Sequence, residues 1–251
     1  FVLVGDEELI ASMASQTGLR LSDLEVLHEP DPRIAALRAV ELVSSGQAGI
    51  LMKGLIPTAD FLRAVLNKEV GLRTGRLLSH VAVFKSPRYD RLIYMTDGAM
   101  VVAPTLQDKV QIIQNAIGVA HKLENEMPKV ACIATVEVVN PDMPETVDAA
   151  ALAKMSDRGQ ISGCIVDGPL GLDNAVCRES AEHKGVGGPV AGRADILLAP
   201  NIVAGNVIYK TLVYFGQVET AAVVTGARAP IVLTSRSDSP EARLNSLALA
   251  I

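Results

Sequence analysis

The segment ADILLAPNIVAGNVIYKTLVYF (residues 194–215) decides the fold class of this chain. It opens with a short apolar run that ends at Leu198, passes through a polar turn, and continues as an apolar helical pattern from Asn206 to Phe215. An apolar run without polar alternation is typical of a strand that is covered on both faces, as in a parallel sheet. The segment therefore predicts a strand–turn–helix unit of an α/β protein.

The same alternation of strand and helix extends over the rest of the chain. Further strands are predicted at 2–4, 48–52, 80–84, 91–95, 130–136, 163–166, 220–224 and 230–233, and further helices at 58–67, 106–123, 146–155 and 239–251. Right-handed crossovers should join these units into largely parallel sheets. The Asp97-Gly98 turn signal and the Pro104-Thr105 step predict a domain boundary near residue 100.

The composition excludes several classes of protein. A 251-residue chain that is 49% apolar builds a packed core, which excludes disorder. A net charge of −5 without a basic stripe argues against a nucleic-acid partner, and the lack of about 18 consecutive uncharged apolar residues argues against a membrane partner. The three cysteines show no metal or disulfide spacing, so we expect free thiols in a reducing cytoplasm.

The strand ends are the places to look for a site, because α/β sheets bind ligands at the carboxyl ends of their strands. Lys53 follows one strand, and Thr58 is placed to cap the next helix, on which Arg63 lies opposite the apolar positions. Arg73 and Arg76 lie in a loop bounded by glycines and could hold phosphate groups through bidentate hydrogen bonds. A solvated helix arginine and ordinary loop charge are the alternative interpretations.

Two further positions are less specific. The Gly205-Asn206 turn is predicted to open a helix, where free backbone N–H groups and the positive end of the helix dipole suit an anion. Such joints also occur in α/β proteins without any ligand. His80 is a lone histidine at a strand start, for which a structural role is the first expectation.

The last strand ends in a polar turn. Ser235 and Arg236 follow it without an obvious structural need, whereas Asp238 and Glu241 have the D-x-x-E spacing of a helix cap. The sequence contains no GxGxxG after its first strand, no GxxxxGK[ST], no GxSxG and no HExxH, so the corresponding nucleotide, hydrolase and zinc chemistries lose support.

Five collinear blocks together resemble the phosphate acetyl/butyryl transferase family, and more closely its butyryltransferase branch. They are LMKGLIPTADFLRAVLNKEVGLRTGRLLSHVAVF, YMTDGAMVVAPTLQDKVQIIQNA, IVDGPLGLDNAV, ADILLAPNIVAGNVIYKTLVYF and APIVLTSRSDSPEARLNSLALA. The resemblance implies a two-domain architecture similar to isocitrate and isopropylmalate dehydrogenases, with the active site between the domains. We expect one domain from 1–100 plus 229–251, a second from 101–228, and a βα unit before residue 1.

The resemblance also implies the reaction. A short acyl group, butyryl or branched C4 in preference to acetyl, moves between CoA and inorganic phosphate by direct attack of the CoA thiolate on the acyl phosphate. CoA, acyl phosphate and inorganic phosphate are the expected partners, with no permanently bound cofactor and no metal. A homodimer or a higher homo-oligomer that assembles through the second domain is expected.

The resemblance also implies roles for the residues at matching positions. Ser235 and Arg236 match the family's catalytic pair, in which the serine supports the thiolate or oxyanion and the arginine holds phosphate. Substrate-binding positions are Lys53, Arg63, Arg73, Arg76, Gly205 and Asn206. The acetyltransferase branch has an aspartate seven residues after the serine, where this chain has Ala242, so Asp238 and Glu241 are the candidate bases. A base is unnecessary if positive charge lowers the pKa of the thiol enough.

Two alternatives remain at this point. One is an NAD(P)- and metal-dependent dehydrogenase on the same fold, which would need clustered metal ligands. The other is a non-catalytic CoA-binding or interaction domain of the same family, which the alanine at position 242 leaves open.

Overall fold

The computed structural model describes residues 1–235 and 238–251, which form α-helices around two β-sheets. In chain order the elements are β1 (Val2–Gly5), α1 (Glu7–Thr17), β2 (Glu25–His28), α2 (Pro32–Ser44), β3 (Leu51–Met52), α3 (Thr58–Val65), β4 (Ser79–Lys85), β5 (Ile93–Thr96), α4 (Leu106–Lys122), β6 (Lys129–Ile133), α5 (Pro144–Asp157), β7 (Ile165–Leu170), α6 (Leu172–Val176), α7 (Arg178–His183), β8 (Ile196–Leu198), α8 (Ile202–Phe215), β9 (Glu219–Thr225), β10 (Ile231–Val232) and α9 (Pro240–Ala250). The predicted alternation of strand and helix is confirmed.

The larger sheet has eight strands in the order β3-β10-β9-β4-β5-β8-β6-β7. Most neighbours in it are parallel, but β9 is antiparallel to both β10 and β4, and β4 is antiparallel to β5. The central strands therefore differ from the parallel arrangement that their apolar runs predict. Helices cover this sheet on both faces, and such a strand is apolar throughout whichever way its neighbours run.

Side chains alternate between the two faces of the sheet along each strand. Val81 and Val83 belong to the core under α4, α5 and α9, whereas Ala82 and Phe84 belong to the core under α6, α7 and α8. A third apolar cluster joins α2 and α3 to the edge strand β3 and its neighbour β10. His80 shares the face of Ala82, so its ring lies under α8.

The first 44 residues contain more structure than the sequence predicts. β1 and β2 form a separate parallel pair, and α1 and α2 follow these two strands. Asp6 caps α1 by accepting the N–H groups of Glu8 and Leu9, and Asp31 caps α2 in the same way. These caps are the N-terminal signals that would have revealed both helices.

Strands from both predicted domains share the larger sheet, with β9 inserted between β10 and β4. The division into 1–100 plus 229–251 and 101–228 stays a prediction. Within 1–235 and 238–251, no helix has the length and apolar character needed to cross a bilayer. The same residues contain no group of three or more His, Cys, Asp or Glu side chains arranged to hold a metal ion.

Candidate functional site

A cleft of about 340 Å³ opens where the carboxyl ends of β3, β5 and β10 meet the amino end of β4, beside α8. Its lining comes from five separate parts of the chain, which contribute Lys53 and Thr58, His80, Ala99, Asn206 and Lys210, and Ser235 and Asp238. The position agrees with the expectation that ligands bind at strand ends in α/β proteins.

Lys53 places a positive charge in the wall of this cleft. Its ammonium group donates to the carbonyl oxygens of Gly54 and Ile56, both at 3.1 Å, and its backbone N–H donates to Val232 at 2.9 Å. The side chain is only 8% exposed. Because β3 and β10 pair side by side, the lysine lies close to the turn that follows β10.

The N-terminus of α3 also reaches the cleft through Thr58. The helix begins at Thr58, with Pro57 in the capping position and no side-chain hydrogen bond to the first turn. The expectation that Thr58 caps the helix is therefore wrong, because Thr58 is already its first residue. The positive end of the helix dipole faces the cleft without a capping side chain.

The turn after β10 brings Ser235 and Asp238 together. The Asp238 carboxylate accepts the backbone N–H of Ser235 at 2.6 Å, and the Asp238 N–H donates to the Ser235 carbonyl at 3.2 Å. The cap of α9 is Ser239, whose hydroxyl accepts the Ala242 N–H at 3.1 Å, so Asp238 is not the cap that its spacing suggests. Asp238 lines the cleft, whereas Glu241 is exposed on α9 and does not.

Arg236 was predicted to hold phosphate, and it lies outside the described residues. Its neighbour Ser235 lines the cleft, at the position that the resemblance assigns to the catalytic serine. The predicted roles of both residues stay predictions.

The start of α8 differs from the prediction. The helix begins at Ile202, four residues before the predicted Asn206, and the side chain of Asn201 caps it by accepting the Ala204 N–H at 3.0 Å. Gly205 already donates its N–H to the Asn201 carbonyl at 3.1 Å. The Gly205-Asn206 pair is therefore part of the first helical turns, and the Gly205 N–H is not available to an anion.

Gly205 instead allows α8 to touch the loop that follows β5. A Cβ at this position would lie 2.3 Å from the Asp97 carbonyl oxygen and 2.9 Å from the Gly98 Cα. The next residue, Asn206, donates from its side chain to the Gly98 carbonyl at 3.1 Å. This close contact sets where Asn206 and Lys210 enter the cleft.

Asp97 anchors the same loop. Its carboxylate accepts the backbone N–H groups of Ala99 at 2.8 Å, Met100 at 3.0 Å and Val101 at 3.2 Å, and its side chain is buried. The buried charge is therefore balanced by backbone donors. Gly98 and Ala99 are held against the cleft as a result.

His80 lies at the strand start that the sequence predicts, but it lines the cleft, which the sequence does not predict. It is 6% exposed, its ring meets Tyr209 edge-on at 5.9 Å between centroids, and its Nδ1 atom has no hydrogen-bond partner within the part of the chain that the structure describes. Burial lowers the pKa of His80, while the negative charges of Asp97 and Asp238 oppose that effect. No sequence motif surrounds His80, so the sequence alone gives no indication that it belongs to the site.

Three of the predicted arginines lie outside the cleft. Arg63 is exposed on α3 and forms an ion pair with Asp60, and Arg76 donates to the Asn115 side chain at 2.8 Å on the opposite side of β4. Arg73 is exposed in the loop before β4. The structure thus gathers Lys53, Asn206, Ser235 and Asp238 around one cleft, with Gly205 behind them.

A cleft at strand ends that combines a buried lysine with hydroxyl and amide donors is typical of α/β proteins that bind small anionic ligands. A sequence model described as "Phosphate acetyl/butaryl transferase" matches residues 4–251. The chain therefore belongs to the phosphate acetyl/butyryl transferase family, and it is an acyltransferase.

Individual relatives agree with this assignment. The chain is 56% identical over 249 residues to phosphate butyryltransferase of Clostridium acetobutylicum, covering 99% of this chain and 83% of that protein. It is 44% identical over 249 residues to phosphate acetyltransferase of Thermotoga maritima, covering 99% and 84%.

Solved structures also match this chain in fold. A branched-chain phosphotransacylase from Enterococcus faecalis V583 matches with a TM-score of 0.86 at 34% identity, covering 100% of this chain and 97% of that chain. A putative 4-hydroxythreonine-4-phosphate dehydrogenase from Salmonella typhimurium matches with a TM-score of 0.59 at 12% identity, covering 99% and 88%. The second likeness shows a shared dehydrogenase-like fold alone.

Proposed function

We propose that this protein transfers a short acyl group between CoA and inorganic phosphate, with butyryl or a branched C4 group preferred to acetyl. The observation that carries the proposal is the cleft that brings Lys53, Asn206, Lys210 and Ser235 together in a chain of this family. The names of its butyryltransferase and branched-chain phosphotransacylase relatives support the acyl preference.

The chemistry is a direct transfer. The CoA thiolate attacks the carbonyl carbon of the acyl phosphate, negative charge develops on the carbonyl oxygen, and the bond to phosphate breaks as the carbonyl re-forms. Ser235 is proposed to donate to the developing oxyanion, which is stabilised most by donors already in place. Lys53, Lys210 and Arg236 are proposed to hold the phosphate through charge-assisted hydrogen bonds.

The nucleotide end of CoA needs further contacts beyond the reacting groups. Arg63, Arg73 and Arg76 lie outside the cleft and remain proposed partners for the phosphate groups of CoA. Of the two carboxylates proposed to act in proton transfer, Asp238 lines the cleft and is retained, while Glu241 has no contact there. No permanently bound cofactor is part of the proposal.

A homodimer in the cytoplasm is the proposed working form, with the second domain as the interface. Helix α8 supports this proposal, because Val203, Val207, Tyr214 and Phe215 are exposed along it. Apolar side chains clustered on one helix are typical of a protein–protein contact.

The experiment follows free thiol with a chromogenic thiol reagent when the purified protein is incubated with acyl-CoA and phosphate. Acetyl-, propionyl-, butyryl- and isobutyryl-CoA are compared, and sulfate in place of phosphate is the control. We expect phosphate-dependent thiol release with the largest kcat/KM for a C4 substrate. Absence of release from all four substrates would refute the function, and a larger kcat/KM for acetyl would refute the acyl preference.

Two further measurements address the site and the competing function. The change Arg236→Ala should lower kcat/KM by about 100-fold, the scale for losing one transition-state donor, with the melting temperature unchanged. A dehydrogenase would reduce NAD(P) when given a hydroxy acid, and we expect no such reduction.

A further inference from the structure

His80 has a chemistry that the proposed function leaves unused. Its ring lies in the wall of the cleft, and its Nδ1 atom is buried without a hydrogen-bond partner among residues 1–235 and 238–251. Buried polar atoms in folded proteins nearly always have a partner, and each exception needs an explanation, such as a catalytic role or a bound water or ion. The histidine ring is thus placed in the cleft wall, and within the described part of the chain no group hydrogen-bonds to its Nδ1 atom.

Two carboxylates act on this ring from different elements. The Asp97 carboxylate follows β5 and is bound by three backbone N–H groups, and the Asp238 carboxylate precedes α9 and accepts the Ser235 N–H. Both charges favour the protonated imidazole, whereas burial favours the neutral one. An imidazole held between these opposing effects can accept a proton and release it again.

The tyrosine and the two lysines of the cleft wall cannot replace it as a proton acceptor. Burial raises the pKa of Tyr209 to about 12, so its hydroxyl stays protonated near neutral pH, and it packs against His80 through its ring. Lys53 and Lys210 bring positive charge and no acceptor.

We propose that His80 is a catalytic residue that accepts the proton of the CoA thiol; the inference rests on the proposed function. The proton moves from sulfur to the imidazole, and the sulfur lone pair forms the bond to the acyl carbon. The C–O bond to phosphate then breaks, its electron pair stays on the phosphate oxygen, and the imidazolium returns the proton to that oxygen. The products are acyl-CoA and hydrogen phosphate, and His80 ends neutral.

The test measures kcat/KM with CoA and butyryl phosphate between pH 6 and pH 9.5 for His80→Gln. A thiol with a pKa of about 8.5 is about 3% thiolate at pH 7, so losing the base should lower kcat/KM by about 30-fold there. At pH 9.5 the thiolate forms without help, and the deficit should shrink to within about threefold. His183→Gln, at an exposed histidine on α7, is the matched control and should follow the original profile.

Asp238→Asn provides a second measurement with a side chain of the same shape. Removing this charge lowers the pKa of His80, so the acid limb of the pH profile should move to lower pH. If Asp238 were the base, this variant would show the rescue at pH 9.5 and His80→Gln would not.

The outcomes separate the inference from the function. An active protein whose His80→Gln variant keeps its melting temperature but shows the same deficit at pH 7 and pH 9.5 overturns the role of His80 and leaves the function standing. If His80→Gln does not fold, an unmoved acid limb in Asp238→Asn overturns it instead. An unmodified protein without phosphate-dependent thiol release overturns the proposed function itself.

Discussion

The contact between α8 and the loop after β5 makes Gly205→Ala a severe change inside a helix. An alanine normally stabilises a helix interior relative to glycine by about 0.5–1 kcal/mol. Here the added methyl would lie 2.3 Å from the Asp97 carbonyl oxygen, against backbone that cannot rotate away. We therefore expect the usual sign to reverse.

The magnitude can be worked from the two contacts that are affected. Overpacking costs about 1–3 kcal/mol, and losing the Asn206 hydrogen bond to the Gly98 carbonyl costs about 1 kcal/mol more, giving about 2–4 kcal/mol in all. For a chain of this length the melting temperature should fall by about 5–15 °C. Displacing Asn206 and Lys210 in the cleft should also lower kcat/KM by about 100-fold.

Gly118→Ala is the matched control. Gly118 is also inside a helix, α4, and a Cβ there would meet nothing within 4 Å. Its melting temperature should rise by about 1–4 °C with activity unchanged. Differential scanning calorimetry on both variants decides the matter: a Gly205→Ala protein that melts no lower than Gly118→Ala would show that α8 does not need this close approach.

Three further predictions concern the rest of the molecule. Burial lowers the pKa of His80 in the folded protein below 6.5, so on acidification the unfolded chain takes up this proton before the folded protein does. The free energy of unfolding should therefore be constant above about pH 6.5 and fall below it by up to about 1.4 kcal/mol per pH unit. Melting scans should show this fall, and they should show a smaller one for His80→Gln. Asp148→Ala removes the ion-pair partner of the buried Lys109 ammonium, which lies 2.6 Å from the Asp148 carboxylate. The free energy of unfolding measured in urea should fall by about 3 kcal/mol, and adding Lys109→Met should recover part of that loss. Mass spectrometry at pH 8 should show thiol labelling first at Cys177, since burial raises the pKa of the other two thiols to about 11 and about 12.

The sequence predicted the elements that surround the site because apolar runs and helical periodicity depend on burial, which both faces of this sheet provide. The direction of β4 and β9 could not be predicted in the same way, since a strand that is covered on both faces is apolar whether its neighbours are parallel or antiparallel. The caps at Asp6 and Asp31 are the local signals for α1 and α2, two helices that the apolar runs alone do not predict.

The sequence predicts the part of the site that depends on local signals. Lys53 follows β3 directly, and Ser235 and Asp238 lie in the turn between β10 and α9, so the position of a strand end indicates where they lie. Gly205 was interpreted as a helix start because glycine is a poor helix former, while its actual role depends on Asp97, more than 100 residues away. Contacts of that separation leave no local signal in a single sequence.

The net charge of −5 and the cleft together bear on which group takes the thiol proton. Both substrates of the proposed reaction carry phosphate, and a carboxylate base becomes neutral as the thiolate forms, so it gives the sulfur anion no positive partner. A neutral imidazole instead becomes positive as the thiolate forms, which stabilises the sulfur anion and the departing phosphate in turn. The charge of Asp238 then favours the imidazolium, while Lys53 and Lys210 bring positive charge to the same cleft for the proposed phosphate. In a chain whose overall field repels its substrates, local charges of this kind must supply the attraction, so histidine is the residue that suits the base position best.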